Sequence, residues 1–294
     1  MRMTVLLLLM LTGWLWPCSG QAAGYAVAST AVPVLNVPAM TAVFGGRDGK
    51  SLKTDRCGQV RELEFIALPG TVFRITGKVK AGAAQVYRVE TDDYPTPENR
   101  SLYLDSRLVE VNDKQPEGRR RELPERETII AALRAAIYTP YVWGGNLRQG
   151  VAELEQLYYR GKLSPQEKAR LTLAGVDCSG LLYEATGGWT PRNTSALLYW
   201  GKGVPVSGKK AAQLADMLEP LDLIVWNGHV LIVLDRETVI ESRLECGKAG
   251  RGGVITTPLR QRLSEIMQTR KPLDAWPLGG GRKDAFVVRR WWAP

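Results

Sequence analysis

The sequence predicts an α+β protein in which an all-β segment precedes a segment that combines helices with an antiparallel sheet. Five short apolar runs separated by turn residues predict strands in the first segment: residues 31–37, 61–68, 71–79, 85–90 and 102–109. A helical pattern follows from about residue 126, and strand-like runs return over residues 221–242 and 285–292. Helices followed by strands within one segment favour an α+β domain.

The first 24 residues are typical of a secretory signal peptide. Arg2 is their only charged residue, an apolar run spans residues 5–11, and small residues lead to Gly24. The apolar run is too short to cross a bilayer. Cys18 invites a lipoprotein interpretation, but Trp16 and Pro17 precede it where small residues are expected. We therefore expect residues 1–24 to be removed from an exported protein, periplasmic or secreted, with no stable membrane insertion.

The charge pattern gives little support to a nucleic-acid partner. The chain has a formal net charge of +9, but its lysines and arginines are scattered. We find no stretch that combines basic residues with stacking aromatic residues, so we expect no nucleic acid to bind. A basic exported protein can linger near anionic surfaces. We expect it to be a monomer.

Three cysteines remain after removal of the signal: Cys57, Cys178 and Cys246. An odd number in an oxidising compartment leaves at least one thiol free. If Cys57 and Cys246 pair, Cys178 is the free one; alternatively, all three are reduced. The single histidine and the dispersed cysteines lack the ligand spacing of a zinc site, and we expect no metal and no cofactor.

A charged linker over residues 112–125 separates the two predicted domains, residues 25–111 and residues 126–294. The linker contains two prolines and the run Arg119-Arg120-Arg121, and we interpret it as a solvated connector. The next helix has Pro124 in its first turn and ends before Pro140. Its apolar residues Ile129, Leu133 and Ile137 recur every four positions and define the buried face.

Cys178 has the surroundings of a nucleophile. Asp177 is a good N-cap, and Leu181, Leu182 and Ala185 fall on one face of the helix that would follow. A cysteine in the first turn feels the positive end of the helix dipole, which favours the thiolate. A lone cysteine is most often a small buried residue, but Gly180 and the histidine downstream support a catalytic role.

His229, the only histidine, begins the apolar run over residues 229–234. Residues 238–242 are predicted to form a second strand that pairs with it. If Asp235 lies at the centre of the turn, His229 directly faces Glu241, close enough for a hydrogen bond between the side-chain tips. A carboxylate there would fix the imidazole tautomer and favour a thiolate–imidazolium pair with Cys178. The candidate catalytic residues are therefore Cys178, His229 and Glu241.

Residues 126–294 resemble the NlpC-type family of bacterial cell-wall cysteine endopeptidases. Four motifs fall in the family's order, at residues 140–145, 177–180, 191–195 and 228–230. The resemblance implies a papain-like α+β fold. It also implies hydrolysis of a stem-peptide bond in peptidoglycan, typically from γ-D-glutamate to meso-diaminopimelate or lysine. Members with an N-terminal SH3-like domain are common, and the strand order of residues 25–111 resembles a small bacterial SH3-like barrel.

The resemblance also implies a set of substrate-binding residues. The candidates are Asp177, Ser179, Tyr141, Trp143, Arg192 and Ser195. Asp177 and Ser179 would hold the amine end of a stem peptide, and Arg192 with Ser195 would line the cleft. Asp177 can serve both as helix cap and as ligand. Stem peptides or muropeptides are the implied partners.

The chain departs from the family pattern at two places. The third catalytic position, twelve residues after the histidine, is usually His, Asn or Gln in the family, whereas here it is Glu241. Residues 146–176 form a longer connection than usual, with helical patterns broken at Gly161 and restarted by a capping box of Ser164 and Glu167. Its apolar residues, Leu154, Leu157, Tyr158 and Tyr159, form either a helical lid over the cleft or a pad on the outer surface; we favour the lid.

Two other functions remain open. The protein could be an amidase or acyltransferase that acts on another amide or ester with the same residues. It could also be a cell-wall binding protein that has lost activity. The intact pair of Cys178 and His229 argues against an inactive protein, because a scaffold gains nothing from keeping that pair.

Overall fold

The computed structural model describes residues 24–81, 84–96, 99–247, 252–279 and 282–292. Of the predicted signal peptide, only Gly24 lies within these residues. Over the described ranges the chain is a mixed α/β protein with two seven-stranded sheets and eight α-helices. Among the same residues, no helix combines the length and apolar character that crossing a membrane requires.

The first sheet is antiparallel and has the strand order β5-β2-β8-β7-β6-β1-β9. The elements of this part are β1 (Tyr25–Ala28), β2 (Val32–Leu35), α1 (Met40–Val43), β3 (Phe44–Gly45), β4 (Ser51–Leu52), β5 (Leu63–Ala67), β6 (Val72–Ala81), β7 (Ala84–Glu90), β8 (Leu102–Asp105) and β9 (Val109–Asn112). Each of the five apolar runs overlaps a strand. The last run is divided because Asp105 accepts a hydrogen bond from Arg107 N at 2.9 Å, which starts a short 3₁₀ turn before β9.

The second sheet has the order β12-β18-β13-β14-β15-β16, with β17 added beside β18. The elements are α2 (Arg126–Ala135), β10 (Asn146–Leu147), α3 (Glu153–Tyr158), α4 (Pro165–Leu171), β11 (Gly175–Val176), α5 (Cys178–Ala185), α6 (Thr194–Leu197), β12 (Lys202–Gly203), α7 (Ala211–Met217), β13 (Leu223–Trp226), β14 (His229–Val233), β15 (Thr238–Leu244), β16 (Gly252–Pro258), α8 (Leu259–Met267), β17 (Lys271–Leu273) and β18 (Ala285–Arg290). Helices α2 and α5 pack on this sheet, and α5 contacts β14 and β15.

Three details of the second sheet differ from the expectations. β17 pairs with β18 in parallel, so the sheet is not wholly antiparallel. β16 and α8 were not predicted, although Leu259, Leu263 and Ile266 form a buried helical stripe. Helix α2 begins at Arg126, after Pro124, and buries Ile129 as expected.

The connection over residues 146–176 is not a lid over the cleft, which corrects the interpretation we favoured. Its helices α3 and α4 pack against the first sheet instead. Leu154 is fully buried, and it shares one hydrophobic core with Phe44 and Leu63 from the first part of the chain. The predicted capping box at Ser164 and Glu167 is present at the start of α4. These helices join the two parts of the protein through a common core.

Polar links and a disulfide also connect the two parts. Cys57 and Cys246 form a disulfide across 189 residues of sequence, with their Cα atoms 4.7 Å apart. Of the two pairings that the sequence left open, the structure therefore has the one in which Cys178 is the free thiol. The Asn146 side chain pairs with the backbone of Ile66, accepting from its N–H at 3.0 Å and donating to its carbonyl at 2.9 Å.

The linker over residues 112–125 is more than a solvated connector at one point. Arg120 is exposed, as expected, with 88% of its side chain accessible. Its neighbour Arg119 donates to Gly187 O at 2.7 Å and lies 3.5 Å from Asp93. This arginine therefore connects the turn after β7 with the turn after α5.

Candidate active site

Helix α5 begins at Cys178 because Asp177 caps it. The Asp177 carboxylate accepts from Gly180 N at 2.7 Å, which satisfies one of the unpaired N–H groups of the first turn. Cys178 is 8% exposed and is the free cysteine among the described residues. The thiol thus lies at the N-terminal, positive end of a helix.

The loop before α5 approaches the helix so closely that it requires glycine. A Cβ at Gly180 would overlap the carbonyl oxygen of Gly145. Gly144 has φ +69, a left-handed conformation that glycine adopts without strain, and its N–H donates to Asp177 at 3.1 Å. The motif glycines therefore fix the loop against the start of the helix that carries the thiol.

Arg192 lies behind the nucleophile and does not line an open cleft, which corrects the role expected for it. Its side chain is 2% exposed. It donates to both carboxylate oxygens of Asp177 at 3.0 and 2.9 Å, to Ser179 Oγ at 3.0 Å and to Asn146 Oδ1 at 2.9 Å. It also donates to Gly145 O at 3.1 Å, so one guanidinium connects the loop, the cap and the interdomain link.

The same contacts bear on the expected amine-binding pair, Asp177 and Ser179. The Asp177 carboxylate is already paired with a buried cation, and Ser179 is 4% exposed with its hydroxyl donating to Asp177 at 3.2 Å. In this structure both residues hold the start of α5 in place. A substrate amine would have to share a carboxylate that Arg192 neutralises.

His229 begins β14 directly after a two-residue turn, where it pairs with Trp226 on β13. Its Nε2 lies 2.7 Å from Glu241 Oε2, and the two side chains are 15% and 1% exposed. The predicted direct opposition is wrong, because Ile232 faces Ile240 and Val233 faces Val239. That register places His229 and Glu241 on the same face but diagonally, within reach of their long side chains.

The environment of His229 favours its charged form. Burial lowers the pKa of an imidazolium, but hydrogen bonds to Cys178 and Glu241 outweigh burial and raise the pKa of His229 to about 9. Because Nε2 is taken by Glu241, Nδ1 is the ring nitrogen left for Cys178. Cys178 Sγ also lies 4.0 Å from Gly228 O, in the turn that carries the histidine.

A second cation holds Glu241, and sequence reasoning missed it. Arg262 on α8 donates from Nε to Oε1 at 2.7 Å and from Nη2 to Oε2 at 3.1 Å. Burial alone would raise the pKa of Glu241, but the hydrogen bonds from His229 and Arg262 lower it below its usual range. The buried stripe of α8 could have predicted the helix, but no sequence signal pairs Arg262 with Glu241.

Strand β15 is also tied to the start of the nucleophile helix. The hydroxyl of Ser242 donates to Val176 O at 2.7 Å, in a contact buried from solvent. Val176 lies two residues before Cys178, and Ser242 directly follows Glu241. This bond fixes the distance between the strand that carries the carboxylate and the helix that carries the thiol.

Two aromatic residues lie at the exposed side of the site. Tyr141 is half-buried, and burial together with the negative charges of Asp177 and Cys178 raises its pKa. Trp143 is 38% exposed, and its backbone N–H donates to Gln59 Oε1 at 2.8 Å. The Arg61 guanidinium lies 4.3 Å from the Trp143 ring centre. Gln59 and Arg61 belong to the first part of the chain, and sequence reasoning had not placed them here.

Ser195 does not join this cluster. It is exposed on α6, and its hydroxyl donates to Asn193 at 2.8 Å within its own turn. Within the described ranges, no group of three or more His, Cys, Asp or Glu side chains is arranged to hold a metal ion. A cavity of about 1050 Å³ lies elsewhere, between β6, β7 and the linker, and none of the candidate catalytic residues lines it.

Comparisons with known proteins include a distant structural neighbour. No family model and no curated protein matches the sequence. A solved structure similar to this chain is that of an NlpC/P60 family protein from Bacillus cereus ATCC 10987, with 16% sequence identity and a TM-score of 0.32. The match covers 92% of this chain but 64% of that protein, so this chain spans less than two thirds of its neighbour's length. At this level of similarity, function has to come from the residues of the chain itself.

Proposed function

We propose that this chain is a cysteine endopeptidase that hydrolyses a stem-peptide bond of bacterial peptidoglycan. Cys178 is the nucleophile, His229 is its base, and Glu241 orients the imidazole. One observation carries the proposal: the chain's only histidine pairs with the buried carboxylate of Glu241, and the thiol of Cys178 lies 4.0 Å from the carbonyl of Gly228, the residue directly before that histidine. A thiol, a base and an orienting group in contact are the parts of a covalent hydrolase.

The proposal includes a domain organisation and a location. Residues 126–294 form a papain-like domain, residues 25–111 form an SH3-like barrel, and removal of residues 1–24 leaves a periplasmic or secreted protein. Its support is the order of the four motifs in the sequence and the packing of the capped thiol helix on an antiparallel group of strands. The signal-like composition of the N-terminus supports export.

The side chains can perform amide hydrolysis in two stages. The Cys178 thiolate attacks the scissile carbonyl, the C–N bond breaks, and the His229 imidazolium gives its proton to the departing amine. The thioester that remains is attacked by water, from which neutral His229 takes a proton, and the Cys178 thiolate leaves. Glu241 holds the ring through Nε2 in both stages.

The proposed substrate bond runs from γ-D-glutamate to meso-diaminopimelate or lysine, as the resemblance of the motifs implies. Among the candidate ligand residues, Tyr141 and Trp143 keep accessible surface and lie on the loop that packs against the start of α5. Aromatic faces at the mouth of a site supply apolar contact with a polar tip. Arg61 lies over the Trp143 ring, with its charge already paired with Asp55 at 2.6 Å.

Digestion of defined muropeptides, with products weighed by mass spectrometry, tests the proposal. The wild-type protein should cut one stem bond, and Cys178→Ala should cut none while unfolding at a similar temperature. Thiol alkylation should label Cys178 alone, because Cys57 and Cys246 are paired. Cleavage of a different amide or ester would support an amidase or acyltransferase. Binding without turnover would indicate a cell-wall binding protein, and full activity in Cys178→Ala would exclude the nucleophile.

A further inference from the structure

Arg262 and Glu241 form a two-pronged ion pair directly behind the histidine. Helix α8 places the guanidinium so that two of its nitrogens donate to the two oxygens of one carboxylate, at 2.7 and 3.1 Å. The carboxylate is 1% exposed and the arginine side chain 16% exposed. Paired contacts of this kind fix orientation as well as charge.

Glu241 Oε2 is shared between two cations. It accepts from Arg262 Nη2 and from His229 Nε2. If His229 were its only partner, keeping a carboxylate this deeply buried in its ionised form would cost much free energy. The carboxylate would also bind the imidazolium proton tightly. The imidazolium must release a proton to the leaving amine in each turnover, so a partner that binds it too tightly slows that step. Arg262 removes both problems because it supplies a permanent opposite charge.

We propose that Arg262 is a positioning residue that balances the charge of Glu241, so that the pair presents His229 with a fixed but nearly neutral hydrogen-bond acceptor. Arg262 touches neither the thiol nor a substrate and acts only through the carboxylate. This inference rests on the proposed function for its effect on rate. Its effect on the histidine is measurable without any substrate.

The charged surroundings of the pair come from α5, β15, α8 and the turn after α8. Cys178 reaches His229 from α5, and Glu241 reaches it from β15. On α8, Glu265 lies 3.1 Å from Arg262 Nη1 and shares its charge. Hydrogen bonds from Gln261 and Arg262 lower the pKa of that glutamate, and the charge of Arg243 on β15 lowers it further. In the turn after α8, the Arg270 guanidinium lies 4.6 Å from the ring of Trp226, whose centre is 5.0 Å from that of His229.

Titration of the histidine ring by NMR gives the first test, because His229 is the only histidine in the full chain. Arg262→Gln leaves the carboxylate uncompensated, so the midpoint should move up by about 1 pH unit. Glu241→Gln leaves the arginine uncompensated, so the midpoint should move down. Arg262→Lys keeps the charge and should stay near wild type. It remains informative if Arg262→Gln fails to fold.

Activity gives the second test. Arg262→Gln should lower kcat on the order of 10-fold, with KM little changed, since the proton is released less readily. In the double variant Glu241→Gln/Arg262→Gln both charges of the pair are removed, so no uncompensated charge faces His229. This variant should be at least as active as Arg262→Gln. If the two substitutions acted independently, the activity loss of the double variant would instead be the product of the two single losses. The matched control is Arg260→Gln, on the same helix, because Arg260 and its partner Asp216 are both exposed; this variant should behave as wild type.

Several results would overturn the inference. One is an unchanged histidine midpoint in Arg262→Gln, and another is a downward shift in both single variants. A third is an Arg262→Lys variant that behaves like Arg262→Gln, which would indicate a purely geometric role. If the midpoints move as expected while muropeptides stay intact, the proposed function fails and the charge balance stands. If muropeptides are cut and the midpoints do not move, the charge balance fails and the proposed function stands.

Discussion

His229 and Glu241 meet diagonally across the β14–β15 hairpin, with Nε2 and Oε2 2.7 Å apart. The ladder that pairs Ile232 with Ile240 and Val233 with Val239 puts them two positions out of direct register. A diagonal pair needs long side chains to close the gap, and a glutamate reaches where a shorter acid would not. The length of Glu241 therefore matters for the site as well as its charge.

Substitutions of Glu241 should separate its charge from its hydrogen bond. Glu241→Gln keeps an acceptor, so activity on one muropeptide should fall only modestly. Glu241→Ala removes the acceptor and should cost on the order of 10²–10⁴-fold. Full activity in the alanine variant over the whole pH range would reduce the catalytic set to Cys178 and His229.

The pH dependence of the glutamine variant has a definite sign. His229 has its pKa raised to about 9, so its imidazolium is present below that pH and lost above it. Removing the carboxylate charge lowers this pKa, so the Glu241→Gln enzyme should lose rate first on the alkaline side. A pH–rate profile of kcat for wild type and variant measures the difference. Coincident alkaline limbs would contradict the role given to the charge.

The sequence predicted the contact between His229 and Glu241 but not how the strands achieve it. The turn was placed at Asp235, whereas Val233 and Val239 close the ladder one residue further along. Moving the centre of a turn by one residue shifts the register by two, and this keeps every side chain on the same face. The predicted contact between His229 and Glu241 is therefore present although the predicted centre of the turn is wrong.

Other parts of the site could not be predicted because they depend on contacts between distant segments. Arg262 belongs to a helix whose apolar stripe is readable, but its partner lies 21 residues earlier on a strand. Leu154 looks like part of a lid in sequence because an apolar helical face does not say what covers it. The capping box at Ser164 was predictable, because both of its hydrogen bonds are local.

Arg192 should be needed for stability more than for substrate binding. Arg192→Met removes the buried cation that pairs with Asp177, whose side chain is 13% exposed, and breaking a buried pair this way typically costs about 3–5 kcal/mol. Urea unfolding should show this loss, with Arg120→Met as the control because that arginine is 88% exposed. If the free energy of unfolding fell by less than about 1 kcal/mol, as for a surface pair, and KM rose, Arg192 would instead line the substrate cleft, as the sequence had led us to expect.

The shared core predicts that the two parts unfold together. Leu154→Ala removes a fully buried side chain between α3 and the first sheet and should cost about 2–5 kcal/mol. Leu123→Ala is the control, since Leu123 is 39% exposed in the linker. Far-UV circular dichroism and tryptophan fluorescence should report one coincident transition.

The isolated fragment 126–294 should not fold, since it would expose this core. A stable, active fragment would show that the first part is only a tether.

The Cys57–Cys246 disulfide should hold the loop of the first part against the mouth of the site. Gln59 and Arg61, two and four residues after Cys57, contact Trp143 through a hydrogen bond of 2.8 Å and a stacked guanidinium. In Cys57→Ser/Cys246→Ser the loop is freed, so KM should rise while kcat is kept, because the catalytic residues lie elsewhere. Closing a long loop typically stabilises by about 2–4 kcal/mol, so the unfolding midpoint should also fall. A reductant should lower the midpoint of wild type to that of the double variant and leave the variant unchanged. Equal midpoints and equal KM values in the two oxidised proteins would show that the bond neither stabilises the fold nor shapes the site.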